Sequence, residues 1–300
     1  MKKTTITILA FIFLASSSFT LSKDFKLYYL GGQSNMVGYG KVEELPAELN
    51  KTFEGVMIFH GNTEKDNTPA TGKGIWDELK PGHGRKFETD GVENHCSKNF
   101  GVEISFADEL LKLEPENDIA IIKYAKGGTS IDKEAARKFG SWDPDYTDST
   151  SINQYDHFLA TVRNAISIKD IDNDGEDDNL IPSGIIWMQG ESDADVSKEI
   201  ALRYEENLKV LMNLIRAAFR DDNIPVVIGQ ISDSGQDEDG KVWDYFEIVT
   251  KAQNDYVKKD KYAAIVNSTE NYGYHDKYHY DSAGYIDFGR EFARAVYKLK

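Results

Sequence analysis

The chain has 300 residues, 40% of them apolar and 29% charged, which suits one large globular domain or two small ones and leaves no second long apolar run for a multi-span membrane protein. A formal net charge of −16 repels nucleic-acid phosphates and anionic lipid surfaces, so neutral sugars or soluble small molecules are the easier partners. Cys96 is the one cysteine, so no internal disulfide forms and stability has to come from the core.

The first residues read as a secretory leader. Lys2 and Lys3 form a positive start, Ile6 to Ala15 an apolar run, and Ala15, Ser16, Ser17 and Ser18 offer small residues for cleavage. The apolar run is short for a membrane span, so the expectation is a leader within residues 1–22 and an exported, periplasmic or extracellular chain without stable membrane insertion. No repeat or linker interrupts the remainder, which reads as one domain over 23–300.

Strand and helix signals then alternate. Phe25 to Leu30 is apolar and β-prone and ends at Gly31-Gly32, and Val56 to Phe59 is a second strand. Asn62 to Asn99 reads as a long loop of the kind that shapes a pocket. Ile104 to Leu113 has helical spacing, and Ile119 to Ala125 is a buried strand ending at Gly127-Gly128. Ile152 to Ile168 is an amphipathic helix, Gly184 to Met188 a strand ending at Gln189-Gly190, and Lys198 to Phe219 a long helix. Pro225 to Gln230 and Tyr262 to Val266 are further strands, and Ser282 to Leu299 a closing helix capped by Asp281 or Ser282. This alternation predicts right-handed βαβ units around a parallel sheet, with ligands outside the carboxyl ends of the strands. The turns at Gly31 to Ser34, Lys126 to Thr129 and Gln189 to Glu191 therefore converge on one edge.

A serine just past a strand and flanked by glycines presents its hydroxyl beside backbone N–H groups, as acyl transfer requires; taken alone, Ser34 is equally a helix-capping serine. Gly32-Gln33-Ser34-Asn35-Met36 resembles the first block of the SGNH hydrolases, in the branch of sialate O-acetylesterases and acetylxylan esterases. Lys123 to Ser130 is similar to that branch's second block, Trp187 to Asp193 to its third and Asp276 to Gly284 to its last, in the same order. Where the wider superfamily has asparagine in the third block this chain has Gln189, a feature of the branch.

The resemblance implies a three-layer, flavodoxin-like α/β fold with a central parallel sheet, and an enzyme that removes O-acetyl groups from carbohydrate through an acyl-enzyme. It casts Ser34 as nucleophile and His279 as its base. The backbone N–H groups of Ser34 and Gly128 and the Gln189 amide form the oxyanion hole, although Gly128 also serves simple turn geometry and Gln189 a structural hydrogen bond. The acid that orients His279 is Asp276, three residues away in one loop, with Glu191 as the alternative. No cofactor is needed for catalysis. Hydrolysis of lipid or peptidoglycan acetyl esters on the same fold, or sugar binding without catalysis, are the competing readings.

Asp170, Asp172, Asp174 and Asp178 precede or flank Gly175 as in the opening of a calcium loop, but Ile181 replaces the usual twelfth-position glutamate, so structural calcium and a merely solvated acidic loop both remain open. Trp76, Trp142, Tyr146, Tyr272 and Tyr274 lie in connecting segments, where they stack on sugar or belong to the core.

Overall fold

The computed structural model describes residues 22–62, 69–148 and 152–299; the expected leader lies outside the described residues. Seven strands form one sheet: β1 (Asp24–Gly32), β2 (Val56–His60), β3 (Trp76–Glu78), β4 (Asp118–Ala125), β5 (Asn179–Met188), β6 (Val226–Gly229) and β7 (Ala263–Val266), in the order β7-β6-β5-β1-β4-β2-β3. All neighbours are parallel except β2 and β3.

β1 shows why the sheet is the middle layer. From Leu27 to Gly32 every residue is buried, and a strand buried on both faces needs helices on both. Side chains alternate across a strand, so Tyr28 and Tyr29 point to opposite layers. Tyr28 meets Phe106 edge-on at 5.2 Å, in α1 (Glu103–Leu113). Tyr29 meets Phe158 at 4.8 Å, in α2 (Gln154–Ser167). The α1 layer is completed by α5 (Ser282–Lys298), which packs on α1 and brings Val296 against Gly184 of β5. The α2 layer is completed by α3 (Lys198–Ala218) and α4 (Phe246–Lys259), packed on each other. The sequence expectation of a three-layer α/β fold is met.

Most expected elements are present with ends shifted by a residue or two, as at Asp281, whose carboxylate caps α5 through the Gly284 N–H at 2.8 Å. Three segments differ. β5 begins at Asn179 rather than Gly184; Pro182 hides it, because proline cannot donate to a ladder, and the β1–β5 register shifts between Leu27 and Tyr28 to absorb it. The segment Asn62 to Asn99 is not one loop: it carries edge strand β3 and a two-residue ladder, Glu88–Thr89 with Asn94–His95, and at its end Asn99–Phe100 pairs with Gly40–Lys41. α4 was not expected, because its buried stripe is Val249, Ala252, Gln253 and Tyr256, in which one polar and one small residue dilute the apolar period. Gln253 fits the core because its amide donates to the carbonyls of Gln189 and Gly229 and accepts from the Ile231 N–H.

The topology opens a crevice at the end of β1. From β1 the chain builds β2, β3 and β4 on one side and then crosses to build β5, β6 and β7 on the other, so the order reverses at β1. Gly32 pairs with Ala125 of β4 and Met188 of β5, so the three strands end level. Gly32 has φ 141, and a Cβ there would lie 1.9 Å from the Met188 carbonyl oxygen; only glycine lets the chain leave β1 between its neighbours.

Lys123, fully buried in β4, anchors the turn that leaves β1. Its ammonium donates to Glu103 Oε2 at 2.7 Å and to the carbonyls of His83 and Val37 at 2.9 and 3.0 Å. Burial lowers its pKa, and the Glu103 carboxylate opposes that shift. Lys123→Met would leave the Glu103 charge buried and unpaired, at a cost of about 3–5 kcal/mol. Urea unfolding of this variant beside Lys123→Met/Glu103→Leu checks the point: the single variant is expected to be the less stable of the two.

Candidate active site

The three turns at the crevice are tied by one side chain. The Gln189 amide nitrogen donates to Asp193 Oδ2 at 2.7 Å, to the Thr129 carbonyl at 3.1 Å and to Gln33 Oε1 at 3.2 Å, and its Oε1 accepts from the Tyr204 hydroxyl at 3.1 Å. Asp193, fully buried, accepts the N–H groups of Ile131 and Asp132 at 3.1 and 2.9 Å. Burial pushes its pKa up to about 6, against the hydrogen bonds that favour its charge. The turns after β1, β4 and β5 thus share one buried knot.

Ser34 stands where β1 gives way to the four-residue helix Ser34–Val37, closed by the Gly38 N–H on the Ser34 carbonyl at 3.0 Å. A Cβ on Gly127 would come 3.3 Å from the Ser34 Cβ, so glycine allows the second turn to lie against the serine. Among the described residues neither the N–H groups of Ser34 and Gly128 nor the Ser34 hydroxyl has a hydrogen-bond partner. Ser34, Gly127, Gly128 and His279 line one cavity of about 470 Å³, with Gln33, Tyr39, Phe139, Trp243 and Tyr278 among its other walls.

His279 reaches this cavity from the loop before α5. Its Nδ1 lies 2.9 Å from each oxygen of Asp276, which also accepts the backbone N–H groups of Tyr278 and His279 at 2.8 and 2.9 Å. The imidazole stacks on Tyr39 at 3.6 Å between centroids. Burial lowers the His279 pKa, and the Asp276 bond offsets only part of that effect. Burial would raise Asp276, but the bonds from His279 and the backbone outweigh it and hold the carboxyl below its ordinary value. Nδ1 is occupied by a carboxylate, so Nε2 is the ring atom left to take a proton.

The family description "Carbohydrate esterase, sialic acid-specific acetylesterase" matches residues 24–298. The chain belongs to this family. Solved structures agree in fold at low identity. A protein from Arabidopsis thaliana superposes with TM-score 0.62 at 18% identity, over 91% of this chain and 98% of that one. A carbohydrate acetylesterase from Xanthomonas citri gives 0.61 at 16%, over 91% and 56%, and NanS gives 0.58 at 15%, over 93% and 99%. No curated protein matches the chain. The SGNH-type resemblance read from the four blocks is therefore matched by family and fold, and O-acetyl ester hydrolysis on carbohydrate is the activity the family supports.

Within this family member the predicted residues do not all converge. Ser34, Gly128 and His279 line the cavity, and Asp276 holds His279. Gln189 does not reach it: the side chain is fully buried and its nitrogen faces three internal acceptors, so the geometry gives it a scaffold position rather than a place in an oxyanion hole. Glu191 bonds Asn35 at 2.8 Å through Oε1, while among the described residues its buried Oε2 has no partner and neither oxygen is bonded to His279. Burial pushes its pKa up to about 7, with the Asn35 bond pulling the other way. Asn35 in turn donates to the Tyr278 carbonyl at 3.2 Å and accepts from the Tyr285 hydroxyl at 2.8 Å, so Glu191 acts on the histidine loop through Asn35.

None of the five aromatics singled out in connecting segments lines the cavity. Trp76, Trp142 and Tyr146 are buried, and the hydroxyls of Tyr272 and Tyr274 bond Asp287 and Ser232. The cavity aromatics Tyr39, Phe139, Trp243 and Tyr278 sit in segments without periodic pattern, and only the fold collects them. A larger groove of about 590 Å³, between α3 and α4, is lined by neither serine nor histidine.

In the acidic loop, Asp170, Asp172 and Asp174 offer ligand oxygens within 4.8 Å of one another. The Lys23 ammonium pairs with Asp172 and with Asp174, and Asp170 accepts the N–H groups of Asp174 and Gly175. Asp178 turns to the Ile171 N–H at 2.8 Å and leaves its other oxygen buried without a partner. The donor set suits a hard cation, with a lysine standing beside it.

A base with a lowered pKa is neutral at pH 7. The acidic limb of kcat/KM on p-nitrophenyl acetate is therefore expected to have an apparent pKa below the ordinary histidine value of about 6.5. A pH profile measures it, and a limb above 7 would contradict the burial of His279.

Proposed function

We propose that this family member is a serine esterase that removes O-acetyl groups from carbohydrate through an acetyl-enzyme, with Ser34, His279 and Asp276 as its triad. The observation that carries this reading is the cavity that Ser34 and His279 both line, with the N–H groups of Ser34 and Gly128 unengaged beside the serine. Ser34 Oγ attacks the acetyl carbonyl while His279 Nε2 takes its proton. The oxyanion is held by the Ser34 and Gly128 N–H groups. Collapse breaks the ester bond, and the leaving sugar oxygen takes the proton from the imidazolium. A water then attacks the acetyl-enzyme with His279 as base, and acetate and free Ser34 result. Asp276 keeps the ring in the tautomer with Nδ1 protonated. The step needs no metal.

The leader-like run at Ile6 to Ala15 supports export to the periplasm or beyond. Among the described residues no helix is long and apolar enough to cross a membrane.

Ser34→Ala and His279→Ala are each expected to lower kcat on p-nitrophenyl acetate on the order of 10⁴-fold or more, since nucleophile and base act as a unit. Asp276→Asn is expected to lower kcat strongly with little change in KM, and Glu191→Gln to do less to kcat. Steady-state kinetics on folded variants decide between the acids: a crippled Glu191→Gln beside a near-normal Asp276→Asn would transfer the orienting role to Glu191.

The acidic loop is proposed to take a structural calcium through Asp170, Asp172 and Asp174, displacing the Lys23 ammonium. Calcium that binds only the folded chain raises its melting temperature by mass action. Superimposable melting curves in calcium and in chelator would leave Lys23 as the loop's own cation.

A further inference from the structure

The cavity walls carry four charged side chains, and they cancel in pairs. Arg137 bonds Asp195 at 2.7 Å, and Lys277 bonds Asp237 at 2.8 Å. The Arg137 guanidinium also donates to the Ser192 carbonyl at 3.4 Å. Its backbone sits at φ 45, a left-handed conformation that non-glycine residues adopt only when the surroundings hold them there. The Lys277 ammonium lies 5.1 Å from the Tyr278 ring centroid. An anionic sugar is recognised by a cation with free donors, most often a bidentate arginine. Here Arg137 and Lys277 each already face a carboxylate, which would stand beside a bound anion and repel it; Arg85, 5.0 Å from the Tyr39 ring centroid, is not among the residues that line the cavity.

The remaining wall is aromatic. Tyr278, next to the catalytic histidine, is 40% exposed. Trp243 leans against it at 5.5 Å between centroids. Both are held from behind. Asp233 accepts the Val242 and Trp243 N–H groups at 2.9 and 2.8 Å, the Ser234 hydroxyl bonds the Lys277 carbonyl at 2.8 Å, and Asn35 holds the Tyr278 carbonyl. A fixed aromatic surface beside the reacting atoms suits the C–H face of a pyranose and loses little entropy on binding.

We infer that the cavity selects O-acetylated neutral sugar, seated on Trp243 and Tyr278, and that the Arg137–Asp195 and Lys277–Asp237 pairs withhold both cations from an acidic sugar. This rests on the serine-esterase reading and departs from the sialic acid named in the family description.

The test compares kcat/KM on three esters: p-nitrophenyl acetate, an acetylated xylo-oligosaccharide and an O-acetylated N-acetylneuraminic acid. The wild-type chain is expected to prefer the neutral over the anionic sugar by roughly tenfold or more. Trp243→Ala is expected to lose roughly tenfold more on the xylo-oligosaccharide than on p-nitrophenyl acetate. Asp195→Asn, which frees Arg137, is expected to raise the anionic-to-neutral ratio several-fold. Preference of the wild type for the sialic ester, equal losses in Trp243→Ala on both esters, or an unchanged ratio in Asp195→Asn would each overturn the inference. No turnover of p-nitrophenyl acetate by the wild type would instead overturn the esterase reading beneath it.

Discussion

The Gln189 amide is the contact on which the site depends. A parallel sheet delivers its turns to one edge but does not hold them there, because each turn leaves the ladder that ordered it. Here one fully buried amide bonds Gln33 after β1, Thr129 after β4 and Asp193 after its own strand, and Asp193 carries the link on to Ile131 and Asp132. A buried polar network of this kind is worth having only when its members are satisfied. Gln189 meets that condition through Tyr204, and its carbonyl also accepts from Tyr204 and Gln253. The helices α3 and α4 thereby brace the edge that carries the serine.

His279 is held differently. It belongs to a loop pinned by an isolated antiparallel bridge, Tyr274 to Tyr280, in which the His279 carbonyl accepts the His275 N–H at 2.8 Å. Asp276 sets the ring from one side, the Tyr39 ring covers it, and the backbone around it is anchored through Asn35 to Glu191 and Tyr285. Two carboxylates therefore serve one histidine in different ways. Asp276 acts on the ring directly and stays ionised because hydrogen bonds outweigh burial. Glu191 lies deep, carries a raised pKa and touches only the scaffold.

Behind both lies a core with more buried polar groups than an apolar pattern would suggest. Lys123 and Glu103 pair fully buried, and the same Lys123 ammonium fastens Val37, three residues past the serine. A single buried cation thus ties α1, β4 and the Ser34 turn together. Removing one partner is costly because the other is left charged in a low-dielectric setting.

The layers and the location of the edge were legible in the order of residues alone. Local periodicity is set by neighbours along the chain, so β1, β2, β4, β6, β7, α1 to α3 and α5 could be read from it, and the glycines of Gly31-Gly32 and Gly127-Gly128 marked where strands must turn. Ser34, His279 and Asp276 were legible through short blocks, since each sits in a compact turn or loop. Direction and partnership needed the folded chain. Gln189 looked like a donor to substrate until its nitrogen was seen to be spent on three turns. α4 and β3 were invisible because a buried glutamine and an edge position remove the apolar signal. Trp243 and Tyr278 meet across 35 residues of sequence, and the pairing of Arg137 with Asp195 joins segments 58 residues apart. Such contacts depend on how turns from distant strands are knotted, and no local pattern encodes that.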